Sequence, residues 1–587
     1  MPTRAWYGQV LMNRLLLLYD LQIAGFLGQG DRWYLHTQLD RCQRQQPNSF
    51  YKSCLQPLCH QGLGLPELER PLPWQALFGK VPYLGSRLFQ KHVIEQQYPD
   101  IDLPDEPFEL LLGWLAEQTW CRTSSTQQEP GTITRATLAG ALEYLITGRT
   151  GKAVVSSLQT LEDICDRTLS AYILKTLNQH HGIPVCSVDS SVATALDDNL
   201  CHLLVNTILP GVTILDPACG SGRLLLMILD RMQQWYQTCW DYAQRRPTST
   251  LQTWIQSLRT AKSATAWTLV SCILTQNLHG VDLLPEAVEM TQLQLWLALL
   301  STVQTLDELA PLPDLDFNIA VGNALVGFIR VDEESFDQIA PKRKQGTDTA
   351  TVLQGNLLHL LTAATYQDTL AEKQIRIEHY RAQSQIMAEA GGIPEYVQTD
   401  FLRDRIDEVN QAAQQKLNRL LVGTFSQKLG IQVREPQCSG RTHKRLLTLE
   451  DIEAIHPFHW GFFFNTILEK RGGFDVILTH APGGTLRPNA DEFYTQHAHL
   501  FQQHNIERHT FRRSRQQTLQ QIPLLEKLWS TYTGQISYLR AYFRRSEGYQ
   551  SQSSPAAARA PRLKILFSQR CAILVSPHGV PPYLHSP

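Results

Sequence analysis

The sequence predicts an α/β fold: a doubly wound, mostly parallel sheet, with a helical region before it and a helical insert within it. Three observations predict this. Short apolar and β-branched runs at 212–215, 278–283, 317–320 and 474–478 have the length of strands. The first two carry an acid at their ends, Asp216 and Asp282, and give way to helical patterns at 224–235 and from Pro285 to Leu300. Strands alternating with helices argue a parallel sheet, and Pro285 suits a helix start because its missing N–H costs nothing there. The chain has 587 residues, 43% hydrophobic and 18% charged, which suits two to four packed domains and excludes wholesale disorder.

Residues 1–122 read as a helical region. Leu11, Leu15, Leu18 and Ile23 share a helix face, and Pro66, Pro71, Pro73, Pro82, Pro99, Pro104 and Pro107 break up the remainder of the region. The apolar run 15–18 is flanked by Asn13, Arg14, Asp20 and Gln22, far short of the roughly 20 apolar residues of a membrane span. It is equally broken for a signal peptide, so a cytoplasmic protein without a membrane partner is expected. Residues 123–200 lead into the sheet, through a polar linker at 123–131 and helical patterns from 136 to 179. Residues 201–340 hold the first three strands. Residues 341–448 form a mostly helical insert, where Ile406, Val409, Ala413, Leu417 and Leu420 make a core or docking stripe at spacings of three and four. Residues 449–587 carry the last strand and a Ser-, Ala- and Pro-rich loop at 550–562.

The formal net charge of −2 offers no global attraction to nucleic acid, so any such contact needs a local basic face. Arg508, Arg512, Arg513 and Arg515 cluster with His509 and Phe511. They either contact phosphates or form a solvated helix face. Twelve cysteines include no CxxC pair. Cys54, Cys59 and His60 lie close together without a second ligand pair at zinc spacing, so no metal is expected. Buried or surface thiols in a reducing compartment are the plainer reading.

Ile214-Leu215-Asp216-Pro217-Ala218-Cys219-Gly220-Ser221-Gly222-Arg223 is the most informative stretch. A strand delivers the chain to the sheet edge, and Gly220 and Gly222 permit positive φ and close approach of a ligand. The helix beyond the turn presents N–H groups with no intrahelical acceptor. Open α/β sheets hold ligands here, beyond the carboxyl ends of the strands. The GxGxxG and GxxxxGK[ST] patterns are absent, which weighs against a dinucleotide or phosphate loop. A purely structural turn is the alternative. Asp282 can accept hydrogen bonds from ribose hydroxyls or cap the next helix.

The stretch Asp216–Gly222 after an apolar strand resembles the S-adenosylmethionine loop of the DNA amino-methyltransferases. From about Leu11 to Arg570 the chain resembles the large adenine-specific DNA methyltransferases of the type IIG restriction–modification kind. Met12-Asn13-Arg14-Leu15, Gly25-Phe26-Leu27, Pro82-Tyr83-Leu84, Leu88-Phe89, Tyr98-Pro99-Asp100-Ile101-Asp102-Leu103-Pro104-Asp105 and Pro457-Phe458-His459-Trp460 carry the likeness. So does the order, with the cofactor loop before the catalytic motif. The resemblance implies a Rossmann-like methyltransferase sheet. It implies S-adenosyl-L-methionine held by Asp216, Pro217, Ala218, Cys219, Gly220, Gly222, Asp282 and Asn323. Double-stranded DNA is the implied substrate, and a separate specificity subunit a possible further partner. Asn323 would face the adenine, having both donor and acceptor, although Gly-Asn also simply marks a turn.

The likeness breaks at the catalytic motif. Gly473-Phe474-Asp475-Val476-Ile477 fixes the alignment, but the family's Gly-Asn-Pro-Pro-Tyr is here Thr479-His480-Ala481-Pro482-Gly483. His480, Ala481, Pro482 and Gly483 are therefore the candidate catalytic positions. In the family the asparagine oxygen and the next carbonyl accept the two protons of the adenine amino group, and the aromatic stacks on the flipped base. Neutral His480 can supply one acceptor and Ala481 a carbonyl, Gly483 cannot stack, and Phe493 or Tyr494 is the candidate replacement ring. Arg149-Thr150-Gly151-Lys152-Ala153-Val154-Val155-Ser156-Ser157 stands where the family has Thr-Gly-x-Tyr-Tyr-Thr-Pro. The tail 575–587 does not look like the family's next strand. The catalytic half reads as truncated, without the target-recognition region, and the family's nuclease region should precede Met1. Three readings are open: a weak or partner-dependent adenine methyltransferase, a silent cofactor- or DNA-binding remnant, or a methyltransferase of another substrate class.

Overall fold

The computed structural model describes residues 2–122, 131–150, 158–181, 196–246, 248–259, 264–339, 365–390, 396–436, 442–549, 561–581 and 583–584. These residues are mostly helical around a five-stranded sheet. The core strands are β1 (Ile214–Asp216), β2 (Leu278–Asp282), β3 (Ile319–Val321), β4 (Val476–Thr479) and β5 (Tyr583–Leu584). Their order is β3-β2-β1-β4-β5 and every pairing is parallel. Chain order thus runs outward from β1 to β3 and then returns to the other side of β1. The four expected strands are all present, with ends moved by at most two residues. The tail corrects the sequence reading: despite Pro581 just before it, Tyr583 pairs with Leu478 and Leu584 with Thr479.

Side chains alternate across a strand, and here each face meets its own core. Ile214, Leu278, Ile319, Val476 and Leu478 join the helices of the N-terminal region. Leu215, Val281, Ala320 and Ile477 join a second core with Phe458, Trp460, Tyr538, Tyr542 and Leu566. A parallel sheet covered on both faces favours apolar residues on both, which explains why these strands are largely apolar.

Helix α1 (Pro2–Ile23) buries most of its surface, not the single stripe that Leu11, Leu15, Leu18 and Ile23 suggest, with Leu15, Leu16, Leu17 and Leu18 all buried. Its polar residues are buried with partners. Arg14 forms a bidentate pair with Glu95, Gln22 accepts from the Leu35 N–H, and Asp20 accepts from Trp120 and Arg122. Among the described residues no helix is long and apolar enough to cross a membrane. Helix α2 (Arg223–Arg245) follows β1, and α3 (Pro285–Leu300) follows β2 with Pro285 in its first turn.

Within the insert, α4 (Tyr366–Ala390) and α5 (Tyr396–Gly423) pack together. Of the predicted stripe, Ile406, Ala413 and Leu417 are buried, and Ala413 and Leu417 meet Phe336, Tyr366, Leu370 and Phe462. An antiparallel hairpin, Gln432–Pro436 with Thr442–Leu446, comes after the helices and was not expected. Arg403 fastens the insert: it pairs with Asp314 and, at 2.6 Å, with Asp316, while Arg87 reaches Asp316 at 2.8 Å. Beyond β4 come α6 (Arg508–Gln521), α7 (Pro523–Arg545) and α8 (Leu563–Leu574).

Candidate functional site

Residues 216–222 leave the carboxyl end of β1 beside β2 on one side and β4 on the other. Gly220 and Gly222 both have positive φ, +57° and +85°, which favours glycine at each. Gly222 also permits close packing, since a Cβ there would meet Thr291 of α3 at 3.0 Å. The Thr291 hydroxyl donates to the Gly220 carbonyl at 2.9 Å. A Cβ at Gly220 would instead project into open space.

The turn is tied to the end of β2. Asp282 accepts from the Gly220 N–H at 3.0 Å through one oxygen and from the Leu284 N–H at 3.0 Å through the other. It therefore both shapes the glycine turn and opens the approach to α3. Cys219 donates its N–H to Val281 and is buried, with its thiol pKa pushed well up by burial. Asp216 accepts from the Ala218 N–H at 3.0 Å. Burial pushes its carboxyl up to about 7, against the pull of the Ala218 N–H and the nearby Thr479 hydroxyl, and the Asp282 charge adds to the rise. Pro217 is buried and Ala218 half-buried.

Asn323 lies in the turn after β3. Its oxygen accepts from the Leu325 N–H at 3.1 Å and its amide donates to the Ile455 carbonyl at 3.3 Å. The Gly322 N–H donates to the Asp282 carbonyl at 2.8 Å, so this turn abuts the end of β2. Leu283, Leu284 and Val321 stand exposed at the ends of β2 and β3. Sequence reasoning passed over these three; an apolar pair directly after a strand-ending acid was the available signal.

The candidate catalytic stretch leaves β4, the neighbour of β1. Ala481 is buried, His480 half-buried, and Pro482 and Gly483 exposed. Both candidate rings are engaged elsewhere in the fold. Phe493 is fully buried among Phe501, Phe511, Trp529 and Tyr532, and Tyr494 stacks on Phe501 and donates its hydroxyl to the Ile506 carbonyl at 3.0 Å. Residues 151–157 lie outside the described residues.

The arginine cluster lies on α6 and is exposed, but much of its charge is engaged. Arg508 and Arg512 both pair with Asp491, at 3.1 and 2.7 Å. Arg515 lies over the Trp529 ring at 4.8 Å. Cys54 and Cys59 are buried in the N-terminal core, and His60 bonds the Phe89 carbonyl at 3.0 Å.

A parallel α/β sheet with a glycine turn at its point of reversal, bonded to the acid of the next strand, is the arrangement of a ligand-binding crevice. No protein-family profile matches the chain. In an alignment of 513 positions that covers 82% of the chain, it is 22% identical to a Methanocaldococcus jannaschii protein named "Putative type II restriction enzyme and methyltransferase". The matched stretch covers 41% of that relative, so the chain spans about two-fifths of its length.

Proposed function

We propose that this chain is an S-adenosylmethionine-binding protein on the scaffold of an adenine-specific DNA methyltransferase, with methyl transfer weakened or lost. One observation carries the reading: the glycine turn stands at the carboxyl end of β1, where the strand order reverses, hydrogen-bonded to the acid that ends β2. We read the sheet as doubly wound and Rossmann-like, with its switch point between β1 and β4. The restriction–modification and methyltransferase name of the distant relative supports the class. DNA, and adenine in it, rest on the motif resemblance.

The residues fit a nucleoside cofactor. The open space at Gly220 exposes backbone to a ligand, and Leu283, Leu284 and Val321 offer apolar surface beside it. A carboxylate has about four lone-pair sites, so Asp282, with the Gly220, Leu284 and Leu283 N–H groups against it, retains an acceptor for a ribose hydroxyl. S-adenosylmethionine, when bound, supplies an electrophilic methyl group on a sulfonium. The chain must then make the adenine amino nitrogen nucleophilic, because its lone pair is delocalised into the ring. A neutral His480 nitrogen and the Ala481 carbonyl can accept its protons. Gly483 forfeits a stacking contact worth about 1–3 kcal/mol. The engaged rings of Phe493 and Tyr494 favour the second reading, a silent cofactor- or DNA-binding remnant.

Titration calorimetry with S-adenosylmethionine tests the first half. The wild type should bind, and Asp282→Ala should bind about tenfold or more weakly, as for loss of a hydrogen bond to a charged group. A folded wild type that takes up no cofactor refutes the proposal. Restoring His480→Asn, Ala481→Pro and Gly483→Tyr together should then raise adenine methylation. No gain while the cofactor still binds would support the silent remnant.

A further inference from the structure

Tyr549, just beyond α7, and Arg570 of α8 make a contact that the methyl-transfer reading leaves unused. Arg570 of α8 is buried, yet among the described residues its guanidinium has no carboxylate partner. Its Nη2 donates to the Leu325 carbonyl at 2.6 Å and its Nε to the Tyr549 hydroxyl at 2.9 Å. The guanidinium also lies over the Tyr549 ring at 5.2 Å. The Tyr549 hydroxyl donates to the same Leu325 carbonyl at 2.5 Å. Burying a charge without a counter-charge is costly, and a neutral residue would pack there more cheaply. Two donors from different parts of the chain thus converge on one carbonyl.

That carbonyl belongs to the turn beside the proposed cofactor crevice. The Leu325 N–H closes the turn onto the Asn323 oxygen, and the Gly322 N–H bonds the Asp282 carbonyl. The Asp282 carboxylate in turn holds the Gly220 N–H. A short series of bonds therefore leads from the C-terminal helix, through the turn after β3, to the glycine turn after β1. Its members are far apart in sequence and meet only in the fold.

We infer that Arg570 and Tyr549 are positioning residues: by clasping the Leu325 carbonyl they hold the 323–325 turn so that Asn323 presents to the adenine of the bound nucleoside the second N–H and second lone pair of its amide, the first of each being taken by Ile455 and Leu325. The adenine in this inference rests on the cofactor reading above. The clasp acts on the turn with or without a ligand.

Three variants of the full chain test it: Arg570→Met, Arg570→Lys and Tyr549→Phe. Two readouts are taken. The first is amide hydrogen exchange across 321–329, with α1 as the remote reference. The second is the binding preference for S-adenosylhomocysteine over its inosine analogue, which carries an oxygen in place of the 6-amino group. Arg570→Met should speed exchange in 321–329 by about tenfold, for loss of a charged hydrogen bond, and leave α1 unchanged. It should also erode the adenine preference by a similar factor, and Arg570→Lys should restore most of both. Wild-type exchange in 321–329 together with an unchanged preference would overturn the inference. So would exchange that rises equally in α1, which marks mere destabilisation. Should Arg570→Met fail to fold, Tyr549→Phe decides on the same readouts. Should the wild type bind neither nucleoside, the cofactor reading falls, and the exchange of 321–329 alone decides the clasp.

Discussion

Replacing Asp216 by Asn should change how the stability of the protein depends on pH, and the structure sets the sign and size. Asp216 is buried at the end of β1, and burial pushes its carboxyl from an ordinary 3.8 to about 7. The folded protein therefore holds a proton on Asp216 across a range where the unfolded chain has released it. A group raised on folding contributes stability that is complete below its unfolded pKa and is lost as pH rises through its folded pKa. The slope is about 1.4 kcal/mol per pH unit where the two states differ by a full proton, which amounts to roughly 3 kcal/mol between about pH 5 and about pH 8. Asparagine keeps an oxygen for the Ala218 N–H and carries no charge at any of these values. Urea unfolding of both proteins across this range measures the difference. The wild type should lose ground to Asp216→Asn steadily as pH rises. Parallel stability curves would refute the raised carboxyl, and with it the claim that this end of β1 is dry enough to disfavour charge.

Two further changes have defined outcomes. Arg403→Met leaves Asp314 without its cation and removes one of two arginines from Asp316, so it should cost about 3 kcal/mol in urea unfolding, the low end for a broken buried pair because Arg87 still holds Asp316; a loss under about 1 kcal/mol would show the clamp to be dispensable. Neutralising Arg512, Arg513 and Arg515 together should weaken DNA binding, but with a salt slope reduced by fewer than the three charges removed, since Arg512 is shared with Asp491 and Arg515 with Trp529. An unchanged affinity and slope would exclude this face from DNA contact.

Much of the site was legible because its requirements are written in residue types. Glycine suits the positive φ of Gly220 and Gly222, and largely apolar runs suit strands buried on both faces. The acid that ends β2 was legible as a partner of the turn, although its bond to the Gly220 N–H came from the fold. The features that escaped reading depend on partners remote in sequence. Helix α1 has no clean stripe because Arg14, Asp20 and Gln22 are buried with partners elsewhere, at Glu95, Arg122 and Leu35. Strand β5 spans two residues beside proline, too short for any period to show, and takes its identity from pairing with Leu478 and Thr479. Arg570 lies in a stretch read only for its likeness, and its function in the fold depends on a carbonyl 245 residues away.

At the catalytic motif the departure from the methyltransferase pattern lies in the loop after β4, and the strand that delivers the loop is firmly held. Asp475, just before β4, accepts from both the N–H and the hydroxyl of Thr213 at 2.9 Å and from Arg471 at 2.9 Å, which fixes the start of β4 against the start of β1. Its carboxylate also faces the Ser576 hydroxyl, and Ser576 and Val580 bond back to the backbone of Phe474 and Asp475. The register of β4 beside β1 then sets where residue 480 emerges, whatever that residue is. Positions 480–483 lie beyond the end of β4, and of the four only Ala481 is buried, so the restored chain is checked for folding alongside its activity. A three-residue restoration is a fair test: it changes the groups that would face the base while leaving the Asp475 network in place. If the restored chain binds cofactor and still transfers no methyl group, the deficit lies outside this loop, and no repair of 480–483 alone will supply it.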